Sequence, residues 1–408
     1  MRIGTRPAVV WAAFALVHAW LTLLGVVVAA ASSFHDVDLY RWWMYQALDL
    51  GQWPVLDTPW VYPVVAVVPM LLPALLTTTS TAGYALGWCA MVIALDGVAT
   101  AALLRRRDGI RRTTGAWWWL AFLLLLGPVA IGRLDAVVAP LMVLALLAGL
   151  RHPKAAAALL TLGAWIKVAP GALLLPLAAA TRRPLREVAV PALLGCGVVV
   201  GVVLAAGGLD YLPSFVSAQQ SRGLQVEAVA ATPWVLAGLA SSDVSIGLNR
   251  ELVTWEVYGP GTTTTAAALD VVLALAVGAI AAVLWWARLR GRGQAAFLPG
   301  ALAVLTVLIV VNKVGSPQLL AWLAAPVAVL LTVRAGGSRW LRSVAVATLT
   351  AAALTQVVFP WGYDALLAGD PLVTAVLVAR NLILVALLAL AVTGLVRARE
   401  SRAAPAAG

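Results

Sequence analysis

Charge is what this chain has least of. Asp, Glu, Lys and Arg make up 11% of its 408 residues, against 62% hydrophobic residues, whereas soluble domains are about a quarter charged and about half apolar. That shortage excludes a soluble globular fold. Cysteine is nearly absent as well. Cys89 and Cys196 both lie inside apolar runs, which leaves no disulfide framework and no thiolate metal site, so they read as small buried residues. No sustained period-two alternation in short segments is found, and this argues against a β-barrel. Internal repeats, linkers and low-complexity tracts are missing too, so residues 1–408 read as one domain. Long apolar runs recur from end to end. They predict an all-α polytopic membrane protein.

The net charge of +11 does not point to nucleic acid. The basic residues sit in short clusters between apolar runs: Arg2/Arg6, "RRRDGIRR" (105–112), "RHPK" (151–154), "RRPLRE" (182–187), "RLRGR" (288–292), "RAGGSRWLR" (334–342) and "RARESR" (397–402). Bilayer proteins place such clusters in cytoplasmic loops. With all seven inside, one threading satisfies the chain: about twelve transmembrane helices, both termini cytoplasmic. The spans are approximately 8–31, 83–104, 116–131, 136–150, 155–166, 169–180, 188–207, 266–287, 297–312, 318–333, 343–360 and 371–396. The first apolar stretch, 7–31, exceeds the roughly 7–15 residues of a signal-peptide core and reads as an uncleaved span.

Several spans fall short of the roughly 20 residues that a crossing needs. "GAWIKVAP" (163–170) reads as two broken helices meeting at Lys167, which is tolerated only where backbone lines a cavity. The run 61–76, with Pro63, Pro69 and Pro73, reads as re-entrant or interfacial. Of the 17 acidic residues, twelve fall outside in this threading, three inside, and Asp96 and Asp270 within or at the start of a span. The lysines and arginines defined the threading, but the acidic residues did not. Polar groups therefore gather on the outer face, in a long first loop (32–82) and a second large region (208–265).

The first loop opens "DVDLYRWWMY". On a helix, Asp36 and Tyr40 share a face and Asp38 neighbours Arg41. Asp38 then has a local cation, while Asp36 is left free to accept a proton. The plainer alternative is an interfacial helix with aromatic anchors and solvated carboxylates. A D-x-D pair can also hold a divalent ion, but helical side chains two apart diverge. On the same face of the membrane, Arg133 ("GRLDA"), Lys167, Arg222 ("SRGLQVE") and Lys313 ("NKVGSPQ") each stand alone at a span end. A single such cation often only snorkels. Four on one side suit the phosphate of a lipid, although Arg133 has Asp135 close by as an alternative partner. Carboxylates with phosphate-binding cations suggest group transfer on a lipid phosphate. A lipid or solute transporter is the competing class, but the absence of a repeat and the one-sided polar groups count against it.

These residues also resemble glycosyltransferase family 87, membrane enzymes of the GT-C fold. The family pattern in the first outer loop is an Asp four residues before a Tyr, a short helix, a Gly, a second Asp and Tyr-Pro-Pro. Asp36, Tyr40, Gly51, Asp57, Tyr62 and Pro63 match it, and Val64 replaces the second Pro. "GRLDAVVAPLMVLAL", "WIKVAPGALLLP", "SRGLQVEAVAATP" and "NKVGSPQLLAWL" are similar to further family segments in the same order. The likeness runs toward members that extend phosphatidylinositol mannosides, and arabinofuranosyl-transferring relatives share the fold. The resemblance implies inverting transfer of one sugar, usually mannose, from a polyprenyl monophosphate. The acceptor is a lipid-linked or cell-wall glycan outside the plasma membrane. A loop aspartate serves as base: Asp36 by the match, with Asp38 and Asp57 as the other candidates. Substrate contacts fall to Tyr40, Arg41, Tyr62, Arg133, Asp135 and Lys167, and to Arg222, Gln225, Glu227, Asn312, Lys313 and Gln318. Arg and Lys can neutralise a monophosphate leaving group, so no metal or other cofactor is required. The expected partners are the donor, the acceptor and membrane lipids, with no nucleic acid.

Overall fold

The computed structural model describes residues 6–105, 113–334 and 338–398. Arg2, residues 106–112, residues 335–337 and the end of the last basic cluster lie outside the described residues. The chain is an all-α polytopic membrane protein. Its main helices are α1 (Pro7–Val28), α2 (His35–Asp49), α3 (Val64–Ala74), α4 (Thr81–Leu103), α5 (Thr114–Ala130), α6 (Asp135–Gly149), α7 (Pro153–Ile166), α8 (Ala169–Ala180), α9 (Leu185–Ala205), α10 (Thr262–Leu289), α11 (Gly293–Val310), α12 (Pro317–Val333), α13 (Arg339–Trp361) and α14 (Pro371–Val396). Among the described residues the strands form one antiparallel hairpin, β1 (Ser245–Asn249) with β2 (Thr254–Tyr258), within the stretch 208–265.

Seven of these helices are long and apolar enough to cross a membrane: α1, α4, α9, α10, α11, α13 and α14. The other five predicted spans coincide with the shorter helices α5, α6, α7, α8 and α12. Their brevity has a physical reason. Helices α6 and α12 pack on one another at the centre of the bundle, with α5, α7 and α11 around them, so their ends meet protein rather than lipid and need not reach both interfaces. The predicted re-entrant run is the short helix α3, which follows Pro63 and packs on α4.

Burial separates the centre from the rim. In α11, 78% of the apolar window is buried, against 11% in α9 and in α10. The latter two turn most of their surface toward lipid. Several polar groups inside the bundle are paired across helices. His18 of α1 meets Asp96 of α4, Nε2 to Oδ2 at 3.0 Å, while its Nδ1 lies 2.9 Å from the Phe14 carbonyl. Arg380 of α14 meets Glu227 of the stretch 208–265 at 2.9 Å, both side chains buried. Asn381 donates from the same helix to Thr232. This pins the segment 224–235 onto α14.

Candidate active site

The site is assembled where chain breaks bring polar residues to one end of the central helices. Helix α2 starts at His35, with Asp36 and Asp38 in its first turn, where carboxylates suit the helix dipole. The two carboxylates part company at once. Asp38 accepts from Arg41 Nε at 2.7 Å and from Thr81 Oγ1 at 2.8 Å, and Arg41 also donates to the Thr78 carbonyl. Arg41 holds the Asp38 carboxyl below its ordinary range. Asp38 and Arg41 thus clamp α2 to the start of α4.

Asp36 lies on the other side of the helix, and where the sequence suggested a carboxylate free of cations the structure gives it one. Arg133 Nε approaches its Oδ2 at 3.1 Å. Arg133 is itself buried, its guanidinium donating to the carbonyls of Ser33 and Gly132, so it is no snorkelling side chain and does not pair with Asp135. Asp36 keeps a 26% exposed side chain, and its second oxygen takes no hydrogen bond among the described residues. Tyr40, one turn on, is fully buried against Tyr62 at 6.2 Å between ring centres, and its hydroxyl accepts from the Leu134 amide. Burial raises the pKa of both tyrosines, and the Asp36 charge adds to it.

Asp135 opens α6 and is buried. It accepts from Lys167 Nζ at 2.5 Å and from Trp322 Nε1 at 2.6 Å. Lys167 is extended (φ −153°, ψ 134°) between α7 and α8, as the broken-helix reading expected. Lys313 follows α11, donates to the Gln220 carbonyl and pairs with Asp270 of α10 at 2.8 Å. Its turn packs tightly: a Cβ on Gly315 would lie 2.1 Å from the Ala228 amide nitrogen. So three of the four cations read as solitary have carboxylate partners far away in sequence. Arg222 is the exception. Its Nε is buried without a partner, and burial lowers its pKa against the opposing pull of Tyr62, Glu256 and Asp36.

Lys167, Arg222 and Lys313 all line one cavity of about 730 Å³, together with Tyr62, Asn312 and Gln318. Another part of its wall is apolar: Leu175, Leu273, Val277 and Leu308. Leu273 and Val277 lie one and two turns along α10 from Asp270, and Leu308 one turn before Asn312, so the cavity has a polar end, where three cations and Asp270 meet, and a hydrocarbon-like one.

Not every expected residue reaches it. Asp57 is exposed and closes its own turn, accepting from the Trp53 amide at 2.7 Å. Gln225 is buried behind the Lys313 turn, where it accepts from Ser316. Glu227 is the partner of Arg380, and burial pushes its carboxyl up to about 7 although Arg380 acts against the rise. Neither Gln225 nor Glu227 is among the residues that line the cavity, and both hold the segment 224–235 in place; Asp36, Asp38, Tyr40, Arg41, Arg133 and Asp135 also stand outside its lining. Asn312 lines the cavity but spends its side chain on the Leu308 carbonyl and the Val314 amide. Conversely, Asp270 and Trp322 belong to the site and were not singled out. A carboxylate inside the apolar run of α10 was a signal for the first. Nothing distinguished Trp322 from the other tryptophans.

The profile of glycosyltransferase family 87 matches residues 60–311. The chain belongs to glycosyltransferase family 87. No curated protein and no solved structure matches it. The stretch that matches family 87 contains Tyr62, Arg133, Asp135, Lys167, Arg222 and Asp270. It begins after α2 and stops just before Asn312 and Lys313, so the acidic helix and the last cation join the family segment only through the fold.

Proposed function

We propose that this family 87 glycosyltransferase moves one sugar, mannose as the leading choice, from a polyprenyl monophosphate to a lipid-linked or cell-wall glycan, on the outer face of the plasma membrane. The observation that carries the reading is the two-ended cavity. An isoprenoid chain suits the wall of Leu175, Leu273, Val277 and Leu308. The phosphate suits the end formed by Lys167, Arg222 and Lys313, where charge-assisted hydrogen bonds are strongest.

These placements support the following chemistry, with Asp36 outside the cavity lining but its charge acting on Tyr62 and Arg222, which belong to it. The acceptor hydroxyl oxygen bonds to the anomeric carbon as the bond from that carbon to the phosphate oxygen breaks, with inversion. The hydroxyl proton passes to Asp36, whose Oδ1 is uncommitted while Arg133 fixes Oδ2. The electron pair leaves with the phosphate, and the cations stabilise the added negative charge. Arg222 is suited to the anion in particular, because its guanidinium carries a buried donor with no acceptor. The test is to incubate the purified protein with radiolabelled polyprenyl-phosphate mannose, its arabinofuranose counterpart and a cell lipid extract. Label should move from the mannose donor into a longer glycolipid. Transfer from the arabinose donor alone would replace the sugar, and transfer from neither would remove the proposed donor class.

A further inference from the structure

A second cavity, about 320 Å³, lies beside strand β2 of the hairpin and shares Arg222, Asp270 and Lys313 with the larger one. Its volume is at the small end of ligand sites, which run from about 300 to about 1,000 Å³. The remaining wall is mixed: Glu256 and Tyr258 of β2, Ser221, and Thr263 at the start of α10 are polar, while Leu224, Val257 and Ala266 are apolar.

The wall is built to close tolerances. Glu256 is buried yet satisfied, accepting from the Gly223 amide at 3.0 Å, from Thr254 Oγ1 at 3.0 Å and from the Tyr258 hydroxyl at 3.3 Å. A Cβ on Gly223 would come within 2.5 Å of the Glu256 carboxylate, and one on Gly247 within 3.0 Å of the Tyr258 ring. Both positions let the carboxylate and the ring sit where a larger residue would push them away.

The charges decide the class of ligand. Two carboxylates (Glu256, Asp270) and two cations (Arg222, Lys313) line it, so neither sign of charge is in excess away from the Lys167 side of the main cavity. The cations only donate hydrogen bonds, the carboxylates only accept them, and the Ser221 and Tyr258 hydroxyls, which spend their protons on the Ala218 carbonyl and on Glu256, are left as acceptors beside Thr263. A neutral ligand whose own hydroxyls both donate and accept suits this mixture. Asp270 spends Oδ2 on Lys313, and its side chain is 50% exposed. Tyr258, itself 44% exposed, offers a ring face.

We infer that this hairpin cavity is a carbohydrate subsite that holds one sugar ring next to the cationic end of the main cavity. The inference rests on the reading of the main cavity as the site for a sugar phosphate. The ring belongs to the donor or to the acceptor glycan, and the chemistry of recognition is common to both.

The experiment has two arms. In the first, Thr263→Cys is made in a Cys89→Ala/Cys196→Ala background, and its alkylation by a maleimide is timed. Methyl α-mannopyranoside or methyl α-arabinofuranoside should slow alkylation, and inorganic phosphate should not. In the second, Thr263→Phe fills the cavity, with Thr263→Val as the control of equal size. Thr263→Phe should raise one Michaelis constant by about tenfold with kcat retained, the mark of lost ground-state binding. The donor KM rises if the donor's ring sits here, and the acceptor KM rises if the acceptor's does. Protection by phosphate but not by either glycoside overturns the proposal, as do two unchanged KM values. The protection arm needs no turnover, so it stands even if polyprenyl-phosphate sugars prove not to be substrates.

Discussion

At the scale of single residues, the three loop carboxylates are separated by what they touch. Asp38 Oδ1 is committed to Arg41 and Thr81, Asp57 Oδ2 to its own turn and Asp36 Oδ2 to Arg133; Asp36 is set apart because its charge acts on Tyr62 and Arg222, two residues that line the cavity. Asp36→Asn should therefore lower kcat by about 10²–10⁴-fold, the usual share of a positioned base, while donor binding survives. Asp38→Asn should keep most turnover and lose stability instead. The sign is fixed by the depressed carboxyl: its contribution is present above the ordinary value of 3.8 and is lost as pH falls through the lower folded value. Acid unfolding in detergent should thus be less steep below that pH in Asp38→Asn than in the wild type. A dead Asp38→Asn beside an active Asp36→Asn would transfer the base to Asp38.

The cations give a second residue-level expectation. Lys167→Met, Arg222→Met and Lys313→Met each remove a charge but keep much of the apolar stem. Donor binding should weaken by about 1.5–3 kcal/mol, as for one hydrogen bond to a charged group. Arg222→Met should show it most cleanly, because it leaves no carboxylate unpaired, whereas the lysine variants strand Asp135 or Asp270. Unaltered donor affinity in all three would confine them to structural roles. The sequence identified these three cations correctly as neighbours, because polar residues at span ends on one side had to share a surface. It could not show their partners. The pairs Lys167–Asp135, Lys313–Asp270 and Arg133–Asp36 close contacts between 32 and 97 positions apart along the chain, and no local spacing encodes them.

At the scale of elements, the helices themselves were legible. Apolar runs bounded by Pro, Gly and basic clusters gave every one of the twelve, and Lys167 marked the break between α7 and α8. Their burial was not legible, since lipid and protein interior both favour Ala, Leu and Val. The membrane depth of α5, α6 and α12 therefore follows only from packing. Polar pairs do discriminate. His18 and Asp96 join α1 to α4, and Asp96 Oδ1 and Thr100 Oγ1 are buried without a partner. Removing one member of such a pair leaves an uncompensated polar group and costs about 3–5 kcal/mol, while replacing both by apolar residues can be neutral. Asp96→Leu should lower the melting temperature in detergent sharply, and the double variant His18→Leu/Asp96→Leu should recover most of the loss. An equal loss in both would mean that the pair itself stabilises the bundle.

At the scale of the whole molecule, the asymmetry of charge predicts an orientation. Cysteines introduced at the exposed positions Gln52 and Ser242, in a background lacking Cys89 and Cys196, should react with an impermeant thiol reagent on intact cells. Protection of both until lysis would invert the threading and move the cationic cavity to the cytoplasmic side.

Helix α10 has a double aspect. Leu273 and Val277 line the main cavity, while Val271, Val272 and Leu275 are exposed on its outer side. Only one helix thickness therefore separates the main cavity from the acyl chains. A substrate tethered by its tail can arrive sideways, without passing through bulk water. The relevant concentration is then a mole fraction in the plane of the bilayer rather than a molarity. Diluting proteoliposomes in buffer should leave the rate per vesicle unchanged, whereas adding inert phospholipid at constant total donor should slow it in proportion. With the proposed lipid donor, an enzyme built this way senses how crowded its membrane is with donor and is blind to the volume of the surrounding water.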